Sequence, residues 1–369
     1  MRIVFWLCGL LIIYAYVGYP LLLWVISRYR RRPLLRKRVA PTVSILMSVR
    51  NEEQTLPAKL NNLRRLDYPG NRVQIIVVSD GSSDNTVRIL TENHDLLQPI
   101  VLEAARGKAA ALNEAVKWAT GEILVFTDAR QMIDSNAVSE LIACLGDPEV
   151  GGVSGELILE EEDSNSTPNA LGTYWRIEKL VRRLESESGS VIGATGALYA
   201  IRHGLYKEIP AATILDDVAI PMNVVRQGNR IVFQSSAIAR DRLFAEKGKE
   251  FSRKVRTMTG NLQLLWLEPW LLSPANPALW RYVSHKALRL LCPWLLILMP
   301  IASGMSVGSV YRVAFAVQVT LYGVAVFGTL FPVAKRFKLV SVTSTFLALN
   351  AAVVLAFFNF ITGKSVVWR

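Results

Sequence analysis

The chain contains only three cysteines and three histidines among its 369 residues. Cys8 and Cys292 fall in apolar runs and Cys144 in the polar middle, so neither a disulfide framework nor a thiolate metal centre has the spacing it needs. His94, His203 and His285 are scattered, which leaves no imidazole-based site to assign. Acidic residues are outnumbered, 30 against 42 Lys and Arg, for a formal net charge of +12. Charge is sparse as a whole, 20% of residues against 51% hydrophobic, and four long stretches are almost without it. Pumps and channels place ionisable groups inside their spans, whereas here only Arg312 stands at the edge of one, which argues against a transporter.

Those stretches are residues 3–26, 290–307, 313–334 and 339–361. The first, about 24 residues, would extend roughly 36 Å as a helix and so span a bilayer. It lacks the basic start and small-residue cleavage site of a secretory signal, and is expected to remain as an anchor. A polar region of about 250 residues, long enough for its own core, separates it from the other three. The expected division is an N-terminal span (1–27), a basic juxtamembrane segment (28–40), a folded domain (41–260), an interfacial amphipathic segment (261–288) and three closing spans (289–369). Trp266, Trp270, Trp280 and Tyr282 give the fourth of these its interfacial character.

Arg28, Arg30, Arg31, Arg32, Arg36, Lys37 and Arg38 follow the first span with no acid among them. Short loops rich in Lys and Arg stay in the cytoplasm, so the folded domain is expected there, in a multi-pass plasma (inner) membrane protein. Lys335, Arg336 and Lys338, between the last two spans, return to the same side. The seven-residue basic run also accounts for much of the net charge, and attraction to anionic lipid headgroups explains it without nucleic acid. Asn165-Ser166-Thr167 fits the glycosylation pattern but reads as a loop in a cytoplasmic domain.

Within the folded domain, strand and helix alternate in short units. Residues 42–49 and 73–78 read as buried strands, residues 100–102 and 122–126 as further strands, and residues 86–91 and 108–118 as helices. That order implies an α/β domain with a mostly parallel sheet, whose ligands bind beyond the carboxyl ends of the strands. Three strands end in turns bearing Glu52, Asp80 and Asp128. One such acid is usually a helix cap or a solvated turn; three together mark a site.

The ordered motifs VSILMSVRNEE, VVSDGSSDNT, RGKAAALNEA, VFTDAR, GATGALYAIR, LDDVAIPMNVVRQGNRIVF and EFSRKVRTMTGN, between one span and three, resemble the membrane-bound family 2 glycosyltransferases, the group that includes cellulose, chitin and hyaluronan synthases. The resemblance covers almost the whole chain and implies a GT-A-like domain. Moving a sugar from a nucleoside diphosphate requires a held nucleotide, compensation for charge growing on the diphosphate, and a base for the acceptor hydroxyl.

By resemblance, Glu52, Asp80 and Lys108 take the nucleotide-sugar, with Arg253 and Arg256 over its diphosphate. Asp128 matches the first acid of the DxD motif, implying Mg2+ or Mn2+ on Asp128. Asp217, with Asp216 beside it, matches the acceptor base, and Thr195 and Gly196 belong to the acceptor-side loop. Two departures stand out: Arg130 occupies the second DxD acid position, and Thr257 stands where relatives carry a tryptophan platform.

The implied reaction is inverting transfer from a nucleotide-sugar, UDP-linked by resemblance, to a growing cell-surface polysaccharide that the spans also translocate. The alternative within the same chemistry is a single transfer to a lipid acceptor, and outside it an inactive nucleotide-sensing scaffold.

Overall fold

The computed structural model describes residues 1–160, 170–242 and 249–363; the sequon at residues 165–167 lies outside them. Strands β1 (Val43–Val49), β2 (Val73–Asp80), β3 (Gln98–Leu102), β4 (Ile123–Thr127), β5 (Met132–Ile133), β6 (Val150–Glu160), β7 (Leu198–Arg202) and β8 (Arg230–Arg242) make one sheet in the order β3-β2-β1-β4-β7-β6-β8-β5. β1 pairs in parallel with β2 and β4, and β3 with β2, which is the parallel α/β arrangement expected from the sequence. β7 then enters antiparallel to both β4 and β6, so the complete sheet is mixed.

β1 is apolar on both faces because both are covered. Ile45 and Met47 point into a core with Leu56, Leu60, Leu63 and Leu141, while Leu46 packs on the opposite side with Ile76, Leu112, Leu124 and Met222. This is the period-2 alternation of a strand between two helical layers. The chain runs outward from β1 through β2 to β3 and then returns to the other flank of β1 as β4. That reversal opens a crevice between the carboxyl ends of β1 and β4, where sheets of this kind bind ligands.

Four helices among the described residues are long and apolar enough to cross a membrane: Arg2–Tyr29, Leu279–Gly304, Ser309–Leu330 and Lys338–Ile361. Trp6, Leu10, Leu21, Val313, Phe327 and Phe358 are exposed on them, as befits side chains meant for hydrocarbon. The second helix starts at Leu279 rather than near residue 290, and so includes Arg281, His285, Lys286 and Arg289.

Protein groups rather than headgroups receive several of these polar side chains. His285 Nδ1 lies 2.9 Å from Glu185 Oε1 and its Nε2 3.0 Å from Glu178 Oε1; Arg289 lies 3.0 Å from Glu178. Arg281 donates to the carbonyls of Glu185 and Ser188 at the end of helix Ala170–Ser188, where a cation also suits the helix dipole. Helix Lys249–Leu267 in turn packs Val255, Met258 and Leu262 on Ala352 and Ala356 of the last apolar helix. The boundaries drawn from sequence at residues 260 and 288 therefore fall inside helices.

Candidate active site

Three loops converge beyond the sheet. After β1, Asn51 adopts a positive φ of 54° and its Oδ1 accepts the Ser83 N–H at 2.8 Å. Glu52 donates its N–H to Thr86 Oγ1 at 2.8 Å, and Glu53 its own to Asp84 Oδ2 at 3.1 Å, which locks this turn to the one after β2. Glu52 also accepts the Thr55 hydroxyl. Asp84 bonds both Glu53 and Thr86; although burial opposes it, those hydrogen bonds hold its carboxyl below its ordinary value.

Asp80, fully buried at the end of β2, accepts the backbone N–H groups of Arg106 (2.6 Å) and Gly107 (2.9 Å). Its two oxygens therefore hold the loop that leads into helix Lys108–Lys117. Gly81, at φ +62°, permits this approach, since a Cβ there would stand 2.4 Å from Ala105 N.

Lys108 occupies the first turn of its helix, where the dipole disfavours a cation. Carboxylates from two other elements compensate: Lys108 Nζ lies 2.8 Å from Asp128 Oδ1, after β4, and 3.2 Å from Asp216 Oδ2. Burial works against the ammonium, but Asp128 and Asp216 outweigh it and hold Lys108 well above its ordinary value. Asp216 and Asp217 open helix Asp216–Arg226, an end that favours anions. Burial pushes the Asp216 carboxyl up to about 6 against the pull of Lys108, with Asp217 and Asp128 adding to the rise.

Asp217 is half-buried and, with Thr195, lines a cavity of about 260 Å³. Its backbone carbonyl accepts the Ala194 N–H at 2.7 Å, and Thr195 N–H reaches Ser154 Oγ at 3.1 Å, which fixes the 193–197 loop beside it. A Cβ on Gly196 would lie 3.4 Å from Asp217 Oδ2 and 3.7 Å from Asp128 Oδ2, so both carboxylates border the same small space. Asp128, Asp216, Asp217, Lys108, Thr195 and Gly196 thus meet. Glu52 and Asp80 stand behind them on the neighbouring turns.

The remaining sequence candidates sit differently. Arg130 turns away to an ion pair with buried Asp241, which also accepts from Gln131 Nε2 at 3.0 Å. On helix Lys249–Leu267, Lys254, Thr257, Met258 and Asn261 line the Asp217 cavity, whereas Arg253, one turn before Thr257, is exposed and outside that lining. Arg256 precedes Gly260 by one turn and shares its side of the helix; a Cβ on Gly260 would stand 2.7 Å from Leu215 Cγ, next to Asp216. Trp270 stacks under Arg226, 5.1 Å from its ring, and Trp266 is 76% exposed. Trp175 and Phe233 are aromatics on the cavity wall, and Lys254 Nζ lies 4.8 Å from the Trp175 ring centroid.

Lys59 went unassigned in the sequence although it interrupts the Leu56-Leu60-Leu63 stripe, an unusual place for a charge. It is fully buried beneath Asp128 and donates to Thr127 Oγ1 (2.9 Å) and the Gln131 carbonyl (2.6 Å). Burial lowers it to about 7, with Asp128 opposing. Tyr199, stacked on Phe126 at 4.6 Å, places a buried hydroxyl near the acids; burial, then Asp216 and Asp217, push it far up. Nothing in the sequence pattern marks Tyr199 or Asp241.

An α/β domain that gathers carboxylates and a lysine outside its strand ends, seated on apolar helices, has the architecture of a membrane-associated transferase of the GT-A type. Residues 44–209 match the family described as Glycosyl transferase family 2, and the chain carries a glycosyltransferase family 2 domain. Among curated proteins, the poly-beta-1,6-N-acetyl-D-glucosamine synthase of Staphylococcus epidermidis is 28% identical over 235 residues, 62% of this chain and 56% of that protein. The synthase of the same name from Staphylococcus aureus (strain COL) is 25% identical over 230 residues, 60% of this chain and 55% of that one. The matches therefore span little more than half the length of these relatives. A solved mannosyltransferase from Pyrobaculum calidifontis, in complex with GDP-Man and Mn2+, superposes with a TM-score of 0.72 at 22% identity, over 98% of this chain and 100% of that chain. The GT-A fold expected from the motifs is thus shared along the whole length.

Proposed function

We propose that the protein transfers a sugar, with inversion at the anomeric carbon, from a nucleotide-sugar to an acceptor hydroxyl held at the membrane. The observation that carries this reading is the Gly196 space, bordered on one side by Asp217 and on the other by Asp128. Asp217 opens onto a cavity large enough for an acceptor group and takes the hydroxyl proton as the oxygen attacks. Asp216 holds Lys108 between itself and Asp128, so that an ammonium stands ready beside the departing diphosphate. Arg256, on the side of its helix that faces Leu215, adds a second cation, and Arg253 a more exposed third. Glu52 and Asp80 order the turns that receive the nucleoside, and Thr195 and Gly196 border the acceptor.

A divalent cation, Mg2+ or Mn2+, fits this donor set. Lys108 engages Asp128 Oδ1, while Oδ2 faces the Gly196 space; among the described residues no group of three or more His, Cys, Asp or Glu gathers to hold an ion. One carboxylate with ligands from phosphate and water is a usual way to bind Mg2+. Asp128 would hold such an ion, which would supply positive charge to the diphosphate. The Mn2+ named with the archaeal mannosyltransferase supports the same assignment.

The named synthase relatives support N-acetylglucosamine as the sugar and a polysaccharide product, a UDP donor rests on the family resemblance, and GDP-Man in the Pyrobaculum calidifontis structure keeps guanosine donors in the test. The basic 28–38 run supports a cytoplasmic orientation of the domain. A single transfer to a lipid is the second reading, favoured by the cation-rich wall of the Asp217 cavity and by Thr257 on that wall.

The test is Asp217→Asn in purified full-length protein with a panel of labelled nucleotide-sugars. Loss of a general base costs about 10²- to 10⁴-fold in transfer and leaves donor binding nearly intact. Transfer at the wild-type rate removes Asp217 from that role. Sizing the product separates polymer from single-sugar glycolipid.

A further inference from the structure

The cavity lined by Asp217 is strongly basic. Five cations line it, Lys179, Arg182, Lys254, Lys286 and Arg289, against the carboxylates of Glu156, Glu178 and Asp217. Internal pairing accounts for part of this: Lys179 meets Glu156, and Arg182 and Arg289 meet Glu178 at 3.8 and 3.0 Å. Lys254 lies over Trp175. Lys286 makes no ion pair within 4.0 Å with any described residue, yet it lines the same small cavity as the candidate base. Asp217, Glu178 and Glu185 act on this half-buried ammonium from beyond ion-pair distance, so an anion brought by a ligand could meet it directly.

The helix that supplies Lys286 continues toward a second cavity. Lys286, Arg289 and Leu290 face the basic pocket, and Pro293, Leu296, Ile297 and Pro300 of the same helix line an apolar space of about 960 Å³ among the membrane helices. At 1.5 Å per residue, Arg289 and Pro293 are about 6 Å apart along the axis. Charge thus gives way to hydrocarbon-compatible surface within about one turn, at the membrane end of the site. Gly9 opens part of the apolar space, since it presents no side chain to the second helix.

Building on the glycosyl-transfer reading, we infer that the acceptor is an anionic, phosphate-bearing lipid, its phosphate held by Lys286 with Arg289 and Lys254, and its hydrocarbon chain in the apolar space among the helices. A polysaccharide chain carries no hydrocarbon and leaves the apolar space unused. The phosphate shared by a phospholipid headgroup and a polyprenyl phosphate is what the basic wall recognises. The acceptor oxygen, a hydroxyl on the headgroup or on a sugar attached to the phosphate, and on a bare polyprenyl phosphate an oxygen of the phosphate itself, then lies at Asp217; it bonds to the anomeric carbon, any proton it carries passes to Asp217, and the nucleoside diphosphate leaves.

Binding is measured on full-length protein in detergent with labelled phosphatidylglycerol, a long-chain polyprenyl phosphate, diacylglycerol and polyprenol. Preference for one anionic lipid over its neutral counterpart is expected at about tenfold or more, to fall several-fold in Lys286→Gln and to return in Lys286→Arg. The two anionic arms identify which carrier supplies the phosphate. Equal binding of neutral and anionic lipids, or a preference untouched by Lys286→Gln and Lys254→Gln, overturns the inference. Transfer is then assayed with each lipid and labelled donors. Sugar appearing on the anionic lipid supports the inference; sugar appearing only on neutral lipid or soluble glycan overturns it. Absence of transfer with every donor and acceptor counts against the glycosyl-transfer reading alone, because the binding preference is measured independently of it.

Discussion

Removing the charge of Asp216 should stabilise the protein at neutral and alkaline pH while impairing its chemistry. The carboxyl is 4% exposed, and burial with two neighbouring acids raises it to about 6 despite Lys108 at 3.2 Å. A carboxyl at about 6 in the fold and at 3.8 when unfolded holds its proton more tightly in the fold. Its favourable contribution is therefore present below 3.8 and lost as the pH rises through 6. Fully ionised, it costs the fold about 3 kcal/mol relative to the protonated form. Asn mimics the protonated carboxyl, so Asp216→Asn should gain up to about that amount near pH 8, an upward shift of roughly 6–12 °C in Tm for a domain of this size. The gain should shrink through about pH 6 and vanish near pH 4. Thermal unfolding of detergent-solubilised wild type and variant across that range is the assay. A variant less stable than wild type near pH 8, or a difference that does not change with pH, refutes the reasoning, since either would mean that Lys108 more than compensates the buried charge.

Asp80→Asn replaces an acceptor pair with one acceptor and one donor, leaving the N–H of Arg106 or Gly107 unpaired; a loss of about 1–3 kcal/mol and a raised donor KM are expected, read by unfolding and donor titration. Gly260→Ala puts a Cβ 2.7 Å from Leu215 Cγ and 2.9 Å from Ile214 Cγ2, which should cost about 1–3 kcal/mol and lower kcat by displacing the Asp216 turn. Lys59, lowered by burial to about 7, contributes stability that is present above 10.5 and lost as the pH falls through 7. The stability of Lys59→Met relative to wild type should therefore rise as the pH is lowered from about 9 to 6 in the same unfolding assay, and a flat profile would contradict the assignment.

Much of the framework was legible because it depends on short-range order. β1 and β2 carry contiguous apolar residues since both faces are buried, and the acids that follow are marked by position alone. The second apolar helix begins ahead of its apolar run for a related reason. Arg281, His285 and Arg289 look like headgroup-seeking residues until Glu178 and Glu185, about a hundred positions earlier, are brought against them. Arg130 likewise reads as a charge available to the site, whereas Asp241, a residue of a distant strand, takes it up.

The sequence by itself determined the four apolar helices and the alternation of strand and helix, because hydropathy and periodicity are local properties of the chain, and the family resemblance singled out Asp80, Asp128 and Asp217 as candidates. Only the tertiary structure decided which charges meet. Lys108 lies between Asp128 and Asp216 because separate strands and helices converge at the sheet's switch point, and Lys286 faces the Asp217 cavity because the long apolar helix Leu279–Gly304 begins against the folded domain. Electrostatic interaction depends on distance and burial in space, and neither can be read from separation along the chain.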